Sequence, residues 1–325
     1  MSKALKKWFV ILPTGIALSM LLADAVDPYT LHLLILCSLF SMVALAQDVA
    51  FGRSGQLLIC AGAFFAIGAY TSAIIALRIG APFGTCLLAA TLSASLAGYG
   101  IGWAATRVSG HYLAILSIAF SVIVHQVLLN WSSLTNGAQG LNNIPRPASF
   151  VFLDFSSKST FFVVCIFALL TTIAAIHLIS ATRLGAGFAA IREDELAAQS
   201  LGISIRRVKI SAIVISGAIS GAAGSLYAHY QGLIAPEDFT FSQSVNSLMM
   251  VIIGGANTIV GPILGAILMT LLPEYLRAMA EYRWVIFGIC IIVFTAILPS
   301  GIWGLVRLTY GKTRDFALKK RTAAG

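Results

Sequence analysis

Gln243-Ser-Val-Asn-Ser-Leu-Met-Met-Val-Ile-Ile-Gly-Gly-Ala-Asn-Thr-Ile-Val-Gly-Pro-Ile-Leu-Gly-Ala-Ile-Leu-Met-Thr-Leu-Leu272 decides how many times this chain crosses a membrane. The stretch is apolar, yet it exceeds the roughly 20 residues that one helix needs to cross the hydrocarbon layer. Gly254, Gly255, Gly261, Pro262 and Gly265 interrupt its middle, where glycine and proline weaken a continuous helix. It reads either as one overlong span or as two short helices meeting near Asn257. The charges on the rest of the chain choose between these.

Outward from this stretch, apolar runs predict single spans at about 8–24, 29–47, 57–77, 83–105, 112–131, 159–180, 208–230 and 284–305. Loops on the cytoplasmic side collect Lys and Arg. With Lys3, Lys6 and Lys7 inside, the loops holding Arg53 and Arg107 fall inside, as does the loop holding Arg183, Arg192, Arg206, Arg207 and Lys209. The basic tail, from Arg307 to Arg321, joins them only if the number of crossings is even. A broken pair at 243–272 makes it even. The expected fold is all-α: one polytopic transmembrane helical bundle over residues 1–325, with about ten membrane segments and both termini cytoplasmic. Non-helical backbone at membrane depth is tolerated only where protein buries it or it lines a water-filled cavity, so the pair belongs inside the bundle. The Lys-rich start, an apolar run and Ala23-Asp24-Ala25 also look like a cleavable signal peptide, whose removal would delete one crossing.

Composition agrees. Of 325 residues, 58% are hydrophobic and 10% charged, with a mean hydropathy of +0.92, against roughly 25% charged in a soluble domain. A soluble enzyme with one anchor is excluded. So is a nucleic-acid binder, despite the net charge of +9, because the basic residues sit in membrane loops. Membrane lipid is the expected surroundings. Cys37, Cys60, Cys86, Cys165 and Cys290 are odd in number and each lies in an apolar stretch, so neither a disulfide nor a metal site is expected. His32, His111, His125, His177 and His229 are scattered without ligand spacing.

Nothing on the chain supplies energy or catalysis. Gly311-Lys312-Thr313 resembles the tail of a P-loop, but Val306 stands where the loop needs glycine. No Asp or Glu falls in the middle of a predicted span; Asp48, among others, lies at a span end. An ion-coupled carrier usually carries such a residue, and an intramembrane hydrolase needs an acid/base pair. No enzyme and no cofactor on this chain is the expectation. Gly98 and Gly102, Gly217 and Gly221, and Gly261 and Gly265 are GxxxG pairs that allow close helix packing.

The most polar loop is 181–209. Within it Phe188 to Leu201 reads as one amphipathic helix: Ala190, Ile191, Asp194, Ala197, Ala198 and Leu201 share a face, and Gly202 stops it. Such a helix on the cytoplasmic face is either a connector at headgroup level or a knob that a soluble partner grips. A chain without an energy source fits the second.

The run Ala190-Ile-Arg-Glu-Asp-Glu-Leu-Ala-Ala-Gln-Ser-Leu-Gly202, then Lys209, then Ser216-Gly-Ala-Ile-Ser-Gly-Ala-Ala-Gly-Ser-Leu-Tyr-Ala228, resembles the permease family of branched-chain amino-acid ABC importers, in particular the M-type subunit. Gly62 to Tyr70, Leu134 to Leu141 with Ile144-Pro145, Gly254 to Ala266 and Pro299 to Gly304 match further family segments in order. Leu58-Ile-Cys-Ala61 departs from the family's usual Ser-Leu-Gly-His.

The resemblance implies a bacterial inner-membrane permease that works with a second permease subunit, two ABC ATPase subunits and a periplasmic solute-binding protein. ATP and Mg would bind the partner ATPases. The solutes would be branched-chain or related amino acids; an ATP-independent channel or facilitator for small neutral solutes such as urea is the alternative. The resemblance implies ATPase coupling at about 186–203, through Ala190, Ile191, Arg192, Glu193, Asp194, Glu195, Ala197, Ala198 and Gly202. Candidate path residues are Tyr70, Gln126, Asn130, Ser244, Asn246, Ser247, Gly254, Gly255, Asn257 and Thr258. Candidate docking residues for the binding protein are Asn136, Gly137, Pro145, Pro147, Pro236, Glu237 and Asp238.

Overall fold

Backbone that enters lipid must close its hydrogen bonds internally, and each long apolar run does so as helix. The computed structural model describes residues 26–108, 110–147 and 157–276, with 19, 285, 286, 288, 289, 292 and 301–304. The expected span 8–24, most of 284–305, the Ala23-Asp24-Ala25 motif and the basic tail lie outside the described residues. Among the described residues the α-helices longer than four residues are, in chain order, α1 (Pro28–Asp48), α2 (Ala61–Ile79), α3 (Phe83–Ala105), α4 (His111–Asn130), α5 (Lys158–Ser180), α6 (Arg183–Glu193), α7 (Glu195–Ser200), α8 (Ile205–Gln231), α9 (Phe241–Gly254) and α10 (Val260–Tyr275). Six are long and apolar enough to cross a membrane. The protein is thus an all-α, polytopic bundle.

α8 is the central post. α2 and α3 pack along it through small residues, and two of the GxxxG pairs meet there. Gly98 lies against Ile213 and Val214, and Gly102 against Ile210, while Gly217 and Gly221 lie against Ala94 and Ala90. Farther along, Phe65, Tyr227 and Phe239 form an aromatic core, with the Phe65 and Tyr227 rings 5.2 Å apart. α4 and α5 lie at the outside: only 22% of each span is buried. α1 is 78% buried and joins α5, α8 and the α9–α10 pair.

The pair at 243–272 is a hairpin of two short helices, as its glycines require. Gly255 (φ 113°) and Asn257 (φ 60°) turn the chain through conformations that favour glycine and asparagine. Gly254, Gly261 and Gly265 let the arms touch: a Cβ on Gly254 would stand 2.6 Å from the Gly261 carbonyl carbon and 3.0 Å from the Gly265 nitrogen.

One span differs from expectation. The helix expected from 57 begins at Ala61. α1 continues through a π-helical turn, Val49–Arg53, and residues 55–60 run without helix. Gln56, Leu58 and Cys60 are buried, so this is open backbone inside the bundle. Gln47 Nε2 donates to the Leu58 carbonyl at 2.6 Å. Ile59 N–H donates to Ser117 Oγ at 2.9 Å, and Ser121 Oγ donates to the Ile59 carbonyl at 2.8 Å. Both serines sit near the middle of α4, which puts Ile59 at membrane depth.

Candidate functional site

The coupling, turn and docking candidates fall into three places, and the other path candidates lie apart from them. The first is the α6–α7 segment. It is two helices, not one: Asp194 leaves helical geometry (φ −158°, ψ 117°) and caps α7. Its Oδ1 accepts from Leu196 N–H at 2.8 Å and Ala197 N–H at 3.0 Å. Asp194 is therefore not part of an apolar face. The buried face is Phe188, Ile191 and Ala198, packed with Leu45, Val49, Val208 and Ala212 and flanked by Ala190 and Ile259. Arg192, Glu193, Glu195, Ala197 and Gly202 are exposed. Leu196 on α7 (77%) and Leu201 just past its end (79%) are among the most exposed large apolar residues described. The whole segment is pinned by Lys209 Nζ, which lies 2.6 Å from Glu195 Oε1. A cleft of about 530 Å³ opens beside this pair, lined by Arg107, Gln199, Ser204 and Arg206 among others.

The second place is the hairpin tip, at the same end of the bundle. Asn257 is exposed. Thr258 Oγ1 donates to the Gly255 carbonyl at 2.9 Å and accepts from Gly261 N–H at 3.0 Å, which closes the turn. Gly254 and Gly255 are buried within it. The tip is held by a residue that spacing did not single out. Asp48, fully buried, accepts the Asn257 N–H on Oδ1 at 2.7 Å and Arg53 Nε–H on Oδ2 at 3.0 Å. Arg53 Nη1 in turn donates to Ser180 Oγ at 2.6 Å.

The remaining path candidates do not join the tip. Ser244 and Ser247 are buried on α9, and Ser247 Oγ donates to the Ser244 carbonyl at 2.7 Å. Ser244 Oγ lies 3.4 Å from Ser121 Oγ. Asn246 is half-buried. Tyr70 is buried edge-on to Phe239, 5.7 Å between ring centroids, and its hydroxyl has no hydrogen-bond partner among the described residues. Gln126 and Asn130 are exposed on α4, where Asn130 Nδ2 donates to Gln126 Oε1 at 3.2 Å. The structure thus separates these residues into the tip, the α4–α9 contact, the aromatic core beside Phe239 and the outer face of α4.

The third place is the opposite end. Leu141 and Ile234 exchange backbone hydrogen bonds at 2.9 and 3.0 Å, and Ile144 N–H donates to the Gly232 carbonyl at 3.0 Å. These bonds zip the two outer loops into one platform. Asn136, Pro145, Glu237 and Asp238 are exposed on it, whereas Gly137, Pro147 and Pro236 are buried within it. Asn136 Nδ2 donates to the Gly140 carbonyl at 3.0 Å. His229 anchors the platform from below: one ring nitrogen meets the Pro145 carbonyl at 2.6 Å, the other Ser72 Oγ at 3.0 Å. Among the described residues no group of His, Cys, Asp and Glu has metal-ligand geometry.

Known proteins resemble this chain over most of its length. The family model described as the branched-chain amino acid transport system permease component matches residues 29–295. The high-affinity branched-chain amino acid transport system permease protein LivM of Escherichia coli K12 is 35% identical over 301 residues, which cover 86% of this chain and 71% of that protein. LivM of Salmonella typhimurium is 34% identical over 292 residues, covering 83% and 68%. The permease protein LivH of Escherichia coli K12 is 27% identical over 292 residues, covering 82% and 92%. No solved structure matches. With a membrane bundle of this form and a match across four-fifths of its sequence, the chain belongs to the permease component family of the branched-chain amino acid transport system.

Proposed function

We propose that this chain is the M-type transmembrane subunit of an ATP-driven importer of branched-chain or related amino acids. It pairs with a second permease subunit, two ABC ATPases that bind ATP and Mg, and a periplasmic solute-binding protein. The observation that carries the reading is the separation of its polar equipment to two ends. One end presents the α6–α7 segment, fastened by Lys209 and Glu195, with Leu196 and Leu201 uncovered. The other presents the zipped platform of Asn136, Pro145, Glu237 and Asp238. On this reading the ATPase grips the first, on the cytoplasmic side, and the binding protein delivers solute to the second. Gln126 and Asn130, polar side chains on a largely uncovered membrane helix, support a path that faces the second permease subunit, since such groups are costly against lipid.

The test is co-purification of the native chain with its ATPases, beside a Leu196→Asp/Leu201→Asp double variant. Both leucines lie on the exposed side, so the variant should keep its size-exclusion profile and lose the ATPases. Glu195 is a poor probe, because its removal also frees Lys209. If the native chain, correctly folded, retains no ATPase, the importer reading falls.

A further inference from the structure

We propose that the Asp48–Arg53 pair is the joint through which movement of the α6–α7 segment reaches the tip of the α9–α10 hairpin. This rests on the importer function proposed above. Residues 48–55 are sandwiched between the α6–α7 segment and the hairpin tip. On one side a Cβ at Gly55 would stand 3.2 Å from Arg192 Cα; on the other a Cβ at Gly52 would stand 2.7 Å from the Asn257 nitrogen. The Asp48 carboxylate binds the tip through the Asn257 N–H. Arg53 binds the same carboxylate and the last residue of α5, Ser180, three positions before α6 begins at Arg183. A displacement of α6 therefore pulls on Ser180 and Arg192 together, and through Arg53 and Asp48 on the tip. The apolar contacts run in parallel, since Phe188 and Ile191 share one cluster with Val49, Ile259 and Ile263.

A buried ion pair is an inefficient way to add stability: well-packed apolar side chains of similar size serve as well or better. Its use here fits a contact that must be directional. The π-helical turn Val49–Arg53, a rare form frequent at functional sites, sets Arg53 five positions after Asp48 at bonding distance. Asp48 and Arg53 are positioning residues in this scheme, since neither touches solute.

The experiment uses the complete assembly in proteoliposomes, with ATPases and binding protein, and reads radiolabelled leucine imported per ATP hydrolysed. Three variants are compared with the native chain: Asp48→Ala removes both bonds, Asp48→Asn keeps an acceptor for Asn257 but removes the charge, and Ser180→Ala cuts Arg53 from α5. The expected result is a fall in leucine per ATP of at least about five-fold for Asp48→Ala, the lower end of ordinary allosteric coupling, with ATP hydrolysis continuing. Asp48→Asn and Ser180→Ala should show smaller falls in the same ratio, and they carry the test if Asp48→Ala does not fold. An unchanged ratio in folded variants, whatever happens to their melting temperature, overturns the joint and leaves the importer function standing. Failure of the native assembly to couple hydrolysis to import would instead overturn the importer function, and the joint with it.

Discussion

A Cβ on Gly217 would stand 2.6 Å from the carbonyl oxygen of Ala94, and one on Gly221 would stand 2.7 Å from that of Ala90. No side chain can be added there without moving α3 off α8. Gly100 stands on α3 with none of the described residues within 4 Å of its missing Cβ. Gly217→Val should lower the stability of the purified subunit by about 1–3 kcal/mol, the ordinary range for overpacking. Gly100→Ala should leave stability unchanged or raise it by up to about 1 kcal/mol through helix propensity. Thermal melts in one detergent check both, and equal effects at the two positions would refute the packing described. Spacing made the glycine pairs legible, though not which helix each would meet. Asp48 shows the other side of this. In sequence it is the last polar residue of an apolar run, indistinguishable from one at the membrane surface. Its burial depends on a backbone N–H 209 positions away, and no local pattern carries that.

Among elements, the α6–α7 break and the unwound start of α2 were the two departures, and both come from backbone groups that helical periodicity ignores. The periodicity of 188–201 favours one helix. Asp194 ends α6 because its carboxylate satisfies two N–H groups at the start of α7, with Glu195 in the first turn. Asp followed by Glu is an N-cap signal, present in the sequence and outweighed there by the apolar count. Asp194→Ala removes this cap at a cost of about 0.5–2 kcal/mol. Amide hydrogen exchange at 195–200 should accelerate while α8 stays protected, and unchanged exchange at those amides would count against the capping role. The hairpin was legible for the opposite reason: five glycines and prolines in the middle of one apolar run leave few alternatives to a turn.

At the scale of the molecule, the number and order of spans in the described region were read from hydropathy and charge, because lipid leaves backbone only helix or barrel. The grouping of the candidate residues was not legible. Coupling, tip and docking residues resolve into three places because α1, α8 and the hairpin bring distant segments together, and those contacts lie in the packing of glycines and one buried carboxylate.

The unwound stretch 55–60 has a consequence for how the protein is made. The chain enters the membrane progressively from its N-terminus, but the hydroxyls that satisfy Ile59 belong to Ser117 and Ser121, 58 and 62 positions later. Gln47 and local bonds can already serve Gln56 and Leu58, but until α4 is synthesised the Ile59 N–H and carbonyl lack these partners, and each open peptide group is expensive in lipid. α1 and α2 should therefore wait in the protein-lined insertion channel until α4 arrives. Arrested chains ending at 105 should cross-link to that channel, and chains extended past 131, with α4 complete, should release into lipid. Ser117→Ala/Ser121→Ala should delay the release. Prompt release of the shorter chain would show that the early helices are independent of the later one.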